Sequence, residues 1–557
     1  MRTGAILAAA LLLAPSAATA QSTLVPAPST TPQSSPSLPT PEPITIPAEP
    51  DYGLTLPGIL QRGLELETNR RWGDALTLYE QSLRQHPGSE ELLARQDLAR
   101  MHYSLERRYH DRSFQQSLRT LTPSQTLSLY SELLRKINAH YVVTPPWPGL
   151  ASRAARAVDV ALTNEDFTAF HRLAANNLAG SNLRGTLDRM VSDRRPQRSS
   201  DLVELAAQFA RTAEARAGIP QTAVLMEFVT AAAGGLDDYS DFLTSDQLRD
   251  VYSQIEGNFV GLGVELKADG GALLIVHVIP GSPAERAGII DGDRIVAVDG
   301  QSTAEMSTDE AASLLTGPEG SWVRVTAYTP GKQPRVLNVR REHVEVPSLE
   351  DPKIIDSDYG VAYVRIPAFQ KTTARDLEAA LWDLHRQGMR SLVLDLRGNP
   401  GGLLTAAVEV ADKFLTRGNI VSTRGRSPQE DFNYKAHYGG TWRVPLVVLI
   451  DGDSASASEI FAGAIKDNGR GTIVGQTSFG KGSVQGIFPL GYAGAGIRLT
   501  TAKFYSPNGK PISKHGIQPH DQVRVVAKPI AGAQAAPASD RVLEVGVEAA
   551  RRRVAAR

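Results

Sequence analysis

The sequence predicts a multidomain α+β protein, and three observations along the chain carry that prediction. Residues 55–245 show helical periodicity with few strand signals. From about residue 247 short strands alternate with glycine turns, and from 358 to 525 strands alternate with helices. At 557 residues the chain is too long for one hydrophobic core. A hydrophobic content of 41% and a charged content of 21% are ordinary for a globular chain. The net charge of −1 offers no general attraction for nucleic acid or anionic lipid. With no cysteine, disulfides, thiolate metal sites and a cysteine nucleophile are all excluded.

The elements follow in order. Residues 1–20, "MRTGAILAAALLLAPSAATA", place Arg2 ahead of a short apolar run, Ile6–Leu13, and end on the A-x-A-like site Ala18-Thr19-Ala20. That is the pattern of a signal peptide. The run is shorter than the roughly 20 residues that span a bilayer; retention as an uncleaved anchor is the alternative. No later apolar stretch is long enough to span, so no integral membrane segment is expected after cleavage. The expected location is the periplasm or bacterial cell envelope. Residues 21–54 are rich in Pro, Ser and Thr and cannot bury enough apolar surface to offset their ordering entropy, so an extended linker is expected.

Residues 55–112 have the pattern of a tetratricopeptide unit, with Ala75, Leu78, Tyr79 and Leu83 at the expected offsets before Pro87. Such solenoids normally need at least three units and only one is clear, so an ordinary helical hairpin reads equally well. Either form offers a surface for an adaptor or for self-association. Residues 113–246 read as a helical domain, with "YSELLRKINAHYV" as a strong amphipathic helix. The basic break "DRMVSDRRPQRSSD" reads as a surface loop rather than a nucleic-acid patch. The region closes with a helix and a turn, "TAVLMEFVTAAAGGLDDYSDFL".

Residues 247–345 carry "GLGVEL", "VIPGSPAERAGIIDGDRIVAVDG" and "DEAASLL", with short helices expected at Pro283–Ala287 and Thr308–Leu315. Together these pieces resemble a bacterial, circularly permuted PDZ domain, a β-barrel-like module. Such a module captures an extended C-terminal tail at a sheet edge and holds its carboxylate on backbone N–H groups. The resemblance assigns the carboxylate turn to Gly261, Leu262 and Gly263, and an apolar pocket to Phe259 and Val260.

Residues 346–525 form the α/β part, with "LVLDL" and "LVVLI" as buried parallel-type strands; residues 526–557 are left as a C-terminal tail or helix. Three loops stand out. Asp395–Leu403, "DLRGNPGGL", places a glycine pair before a helix, which suits an anion, a developing oxyanion or a tight turn. No Gly-Lys-Ser/Thr follows, so a nucleotide cradle is disfavoured. The stretch "DGDSASASEIFAGAIKD" sets serines between a strand and a helix, where a helix N-terminus favours negative charge; the G-x-S-x-G signature is missing. Ser478–Gln485, "SFGKGSVQ", holds Lys481 between two glycines. A lysine serves as general base only when neutral, so its pKa must fall from about 10.4 to near 7–8, which desolvation can supply.

From about residue 225 to 525 the chain resembles the C-terminal processing peptidases, tail-specific Ser–Lys proteases. The motifs that carry this are "AAGGLDDYSDFL", "LDLRGNPGGLL", "DGDSASASEIFAGAIKD", "VGQTSFGKGSVQ" and "RLTTAKFYSPNGKPISKHGIQP". The resemblance implies a crotonase/ClpP-like α/β core and a serine endopeptidase that needs neither metal nor cofactor. The family's spacing of 25 positions carries the nucleophile to Ser456 and the general base to Lys481. It also maps a lysine-orienting glutamine to Gln485, oxyanion donors to the N–H of Ala457 and of Gly401 or Gly402, and a supporting acid to Glu459. The implied partners are proteins with accessible apolar C-termini.

Departures are Thr316, where relatives commonly carry Arg, the longer helical stretch over roughly 145–220, and the hairpin of 55–112. The competing readings are a catalytically silent scaffold, a hydrophobic-ligand carrier, and a His-based hydrolase using His437, His515 or His520. The first two predict decay of the Ser456, Lys481 and Gln485 set, which is intact; the histidines sit in no triad or metal motif.

Overall fold

The computed structural model describes residues 55–173, 182–269, 272–303, 314–437, 439, 442–523 and 540–556. The signal, the linker, most of the expected Thr308–Leu315 helix and part of the C-terminal tail lie outside those residues. The chain divides into two compact units. One is built from the described residues up to Ser131 together with Trp147–Ala232; the other comprises Glu132–Pro146 and the described residues from Ala233 onward.

The first unit is helical. Leu56–Thr68, Trp72–Gln85 and Glu90–His110 enclose a small core in which Ala75, Leu78 and Tyr79 are buried. Tyr79 lies against Gly63, where any Cβ would strike its ring, and its hydroxyl donates to Glu67 at 2.6 Å. Further helices of this unit include Trp147–Thr163 and Ser199–Ala217, which bury regular apolar stripes, as well as Leu183–Arg194 and most of Gln221–Gly234. Among the described residues, no helix of either unit is long and apolar enough to cross a membrane.

In the second unit a six-stranded sheet runs in the order Glu350–Asp356, Val361–Arg365, Ser391–Asp395, Leu446–Ile450, Thr472–Gly475, Asp521–Gln522. The first pair is antiparallel and the rest are parallel, with Leu392 opposite Leu446 and Val447 opposite Thr472. Parallel neighbours need crossovers, and the helices Thr373–Arg386, Leu404–Asp412 and Ala457–Asp467 cover one face. Arg541–Ala555 covers the other. Strands buried on both faces explain the uninterrupted apolar runs "LVLD" and "LVVLI", where every residue is buried.

A second, antiparallel sheet contains Asn419–Gly425, Phe432–Lys435, Ser483–Pro489 and Gly496–Tyr505, with Asp241–Leu243 as an added edge strand. The sequence reading has a helix and turn here; the strand forms because "DFL" finds a partner more than 250 residues away, opposite Gly496–Arg498.

The PDZ sheet comprises Val264–Asp269, Ala272–Val278, Arg294–Val298, Trp322–Tyr328 and Arg335–Arg340, around Leu273, Ile275, Ile295, Val323 and Val325. The helix expected at Pro283–Ala287 spans Pro283–Arg286, capped by Ser282.

Candidate active site

The three alternating serines occupy different chemical situations. Ser454 donates to the Leu396 carbonyl at 2.8 Å and accepts from the Asp451 N–H, and Ser458 donates to the Asn399 carbonyl at 3.0 Å. These bonds tie the turn to the neighbouring "LRGN" loop. Among the described residues the Ser456 hydroxyl has no such bond. Ser456 sits at the N-cap of Ala457–Asp467 with φ 55° and ψ −108°, a region costly for a side chain that bears a Cβ. Strain of this kind is found where a nucleophile is presented at a strand-to-helix turn.

Two backbone N–H groups in these loops lack an acceptor among the described residues: that of Ala457, at the first turn of its helix, and that of Gly402, next to the Gly401 that packs on Ser456. The N–H of Gly401 is already used by the Asn399 side chain at 2.8 Å. Of the glycine pair, Gly402 is therefore the one free to meet an oxyanion. Both glycines are required by space. A Cβ on Gly401 would lie 2.9 Å from the Ser456 Cβ, and one on Gly402 would lie 2.2 Å from the Phe369 carbonyl oxygen, each at a positive φ.

Glu459 joins the serine turn to the lysine loop. Its fully buried carboxylate accepts from the N–H groups of Ser456 (2.8 Å), Gly480 (2.7 Å) and Lys481 (2.9 Å), and from the Ser478 hydroxyl (2.6 Å). Burial pushes this carboxyl above the usual range, against four donors that pull it down. Ser478 in turn accepts from the Ile517 N–H, and the Gly480 carbonyl from Lys514. The glycines around Lys481 thus have a structural reason as well: a Cβ on Gly482 would come 2.4 Å from the Ser513 nitrogen.

Lys481 is only 3% exposed. Desolvation, with Arg498 nearby, lowers its pKa to about 7, opposed by Asp237 and Glu459. Its ammonium nitrogen stands 4.0 Å from the centroid of the Tyr239 ring. Among the described residues it makes no hydrogen bond to Ser456 or to Gln485. The Gln485 amide nitrogen donates to Ser483 at 2.9 Å, and its buried carbonyl oxygen has no partner.

In the PDZ domain, Asn258–Gly261 pairs with Glu342–Glu345, placing Phe259 opposite Val344 and Val260 opposite His343. Leu262 is buried in the domain core. The carbonyls of Leu262 and Gly263 accept from Ala284 and Ile279, whereas their own N–H groups have no acceptor among the described residues. Ahead of Thr316, the buried Arg341 caps the carbonyls of Leu314 and Leu315.

The histidines are engaged elsewhere: His437 with Asp412, His515 with the Ser513 carbonyl, and His520 as acceptor of the Ile473 N–H. Residue-by-residue reading missed Asn399 and Tyr239. Asn399 bridges the Ile366 carbonyl, the Gly401 N–H and the serine turn. Tyr239 reaches the site from far upstream, and nothing in local spacing points to it.

Residues 360–523 match peptidase family S41, and residues 274–328 match the PDZ domain family. The fold and the matched families thus define a class, the serine peptidases that carry a PDZ domain. The carboxy-terminal-processing protease of Bartonella bacilliformis is 40% identical over 290 residues, 51% of this chain and 66% of that protein. The carboxyl-terminal-processing protease of a Picosynechococcus species is 37% identical over 290 residues, 52% of this chain and 70% of that protein. The chloroplastic C-terminal processing peptidase of Tetradesmus obliquus is 34% identical over 306 residues, 52% of this chain and 65% of that protein. The chain belongs to this family, the carboxyl-terminal-processing proteases of peptidase family S41. The match spans about two thirds of the length of these relatives.

Proposed function

We propose that this chain is an active serine endopeptidase of the cell envelope that processes proteins recognised by their C-terminal tails. Ser456 is the nucleophile and Lys481 the general base. Lys481 takes the Ser456 proton as the hydroxyl oxygen attacks the peptide carbonyl, and the tetrahedral oxyanion accepts from the N–H groups of Ala457 and Gly402. The lysine then protonates the leaving amine, and water hydrolyses the acyl-enzyme. Gln485 orients the amine in the working arrangement, and Glu459 holds both loops in register. The PDZ turn Gly261–Gly263 takes the substrate carboxylate, with Phe259 and Val260 beside the apolar last residue. Export rests on the N-terminal sequence, and an adaptor or self-association role for residues 55–112 on their hairpin.

One observation carries the proposal: a strained Ser456 shares one carboxylate anchor, Glu459, with a buried lysine whose pKa falls to about 7. The test is cleavage of an unstructured protein with an apolar C-terminus by the wild-type chain, Ser456→Ala and Lys481→Ala, followed by mass spectrometry. Loss of cleavage in both variants is expected, and equal cleavage by all three would remove the dyad. Amidating the substrate's C-terminus should slow the wild type; no change would remove the tail-recognition step.

A further inference from the structure

Lys481 rests on a ring face rather than on a hydrogen-bond partner. Its nitrogen is 4.0 Å from the Tyr239 centroid, a distance at which a cation is attracted to the negative face of the ring. The backbone that carries the ring is anchored on both sides. The Tyr239 N–H donates to Asp237 at 2.8 Å, and its carbonyl accepts from Arg498 at 2.9 Å. Asp237 and Ser240 bond in turn to Thr500. Meanwhile the Gln485 carbonyl oxygen is buried with no partner among the described residues.

From these contacts we infer that Tyr239 is a positioning residue for Lys481: its ring face holds the protonated ammonium away from Ser456, and loss of that proton to water frees the amine. The inference rests on the Ser–Lys reading above. An ammonium is attracted to the ring, whereas a neutral amine gains nothing comparable and turns to hydrogen bonds. Its lone pair can accept from the Ser456 hydroxyl, and its N–H can donate to the orphaned Gln485 oxygen. The ring therefore sorts the lysine by protonation state. The other charged groups facing this nitrogen are Arg498, which repels the cation, and Asp237 and Glu459, which attract it. The Tyr239 phenol is pushed up to about 12 and stays neutral throughout.

The experiment compares the full chain with Tyr239→Phe, which keeps the face, and Tyr239→Leu, which removes it. Rate of protein cleavage is measured against pH. In parallel, the fraction of Lys481 acetylated by acetic anhydride is followed by mass spectrometry over the same range, on the Ser456→Ala background. Removing the ring destabilises the charged form, so Tyr239→Leu should move the acid limb and the labelling curve to lower pH by about half a unit. That corresponds to roughly threefold more relative activity on the acid side. Tyr239→Phe should superpose on wild type. The inference is overturned if Tyr239→Leu leaves both curves in place, or if Tyr239→Phe shifts them equally. Should Tyr239→Leu lose its thermal transition, Tyr239→Met supplies the ring-free arm. If Ser456→Ala and Lys481→Ala cleave like wild type, the dyad falls by itself, and the labelling curve still decides whether the ring holds the charge.

Discussion

Glu459 and Glu227 are both fully buried glutamates whose carboxyls burial pushes upward, yet they are stabilised by opposite means. Glu227, inside the helical unit, pairs with the Arg108 guanidinium at 2.8 Å and leaves its other oxygen unpartnered. Among the described residues, Glu459 has no cationic side chain bonded to it. It is held by three backbone N–H groups and one hydroxyl, drawn from the serine turn and the lysine loop. A side-chain pair can be replaced as a unit; a carboxylate that collects backbone donors cannot, because the donors belong to the loops themselves. The first arrangement holds helices, the second sets the geometry of the serine turn and the lysine loop.

Breaking Glu459 should have the largest effect. Glu459→Leu leaves four donors without acceptors and releases Ser456 from Lys481, so kcat/KM should fall by about a hundredfold or more, with a lower melting temperature. Glu459→Gln should recover little, since its NH2 group faces donors. Wild-type turnover in Glu459→Leu would show that the loops hold their register without it.

Next in size is the ion pair. Glu227→Ala alone should cost about 3 kcal/mol by leaving a partly buried guanidinium unpaired, whereas Arg108→Met with Glu227→Leu should restore most of the thermal stability. A double variant as unstable as the single one would overturn the contrast with Glu459.

Lys481 sharpens the comparison, being a buried lysine with no ion pair among the described residues. Its folded pKa of about 7 lies below the ordinary 10.4, so the unfolded chain binds more protons between those values. Stability therefore rises as pH climbs from 7 towards 10, and the full cost of the buried charge is felt below 7. Lys481→Met should thus raise the free energy of unfolding most near pH 6, by an amount on the order of 3 kcal/mol, with the gain fading towards pH 10. A pH-independent gain would contradict this, as would wild-type cleavage lacking an acid limb near 7.

The smallest effect belongs to the flanking serines. Ser454→Ala and Ser458→Ala each remove one hydroxyl bond to the "LRGN" loop, for about 1 kcal/mol. Turnover should change by only a few fold, and a collapse in kcat would make either serine more than a fastener.

Much of the architecture is legible in the sequence. The uninterrupted "LVLDL" and "LVVLI" runs announce strands buried on both faces, and "SASAS" before an apolar helix announces a strand-to-helix turn. The glycines of "GKG" announced close approach, although what approaches is the backbone of residues 513–516. The edge strand Asp241–Leu243 was not legible, because three residues carry no periodicity and the partner strand lies far along the chain. Nor was the division between Gly401 and Gly402, which depends on where the Asn399 amide turns.

Composition and periodicity by themselves determine the class of fold, the serine turn and the glycine-flanked Lys481, because burial patterns and backbone-constrained turns are written locally; the family and the choice of Ser456 and Glu459 come from the resemblance carried by the ordered motifs. The tertiary structure alone decides which N–H groups stay unpaired, that one carboxylate anchors both loops, and that Lys481 lies on Tyr239. Those outcomes depend on which distant segments compete for the same donor, acceptor or charge, and such competition exists only once the chain is folded.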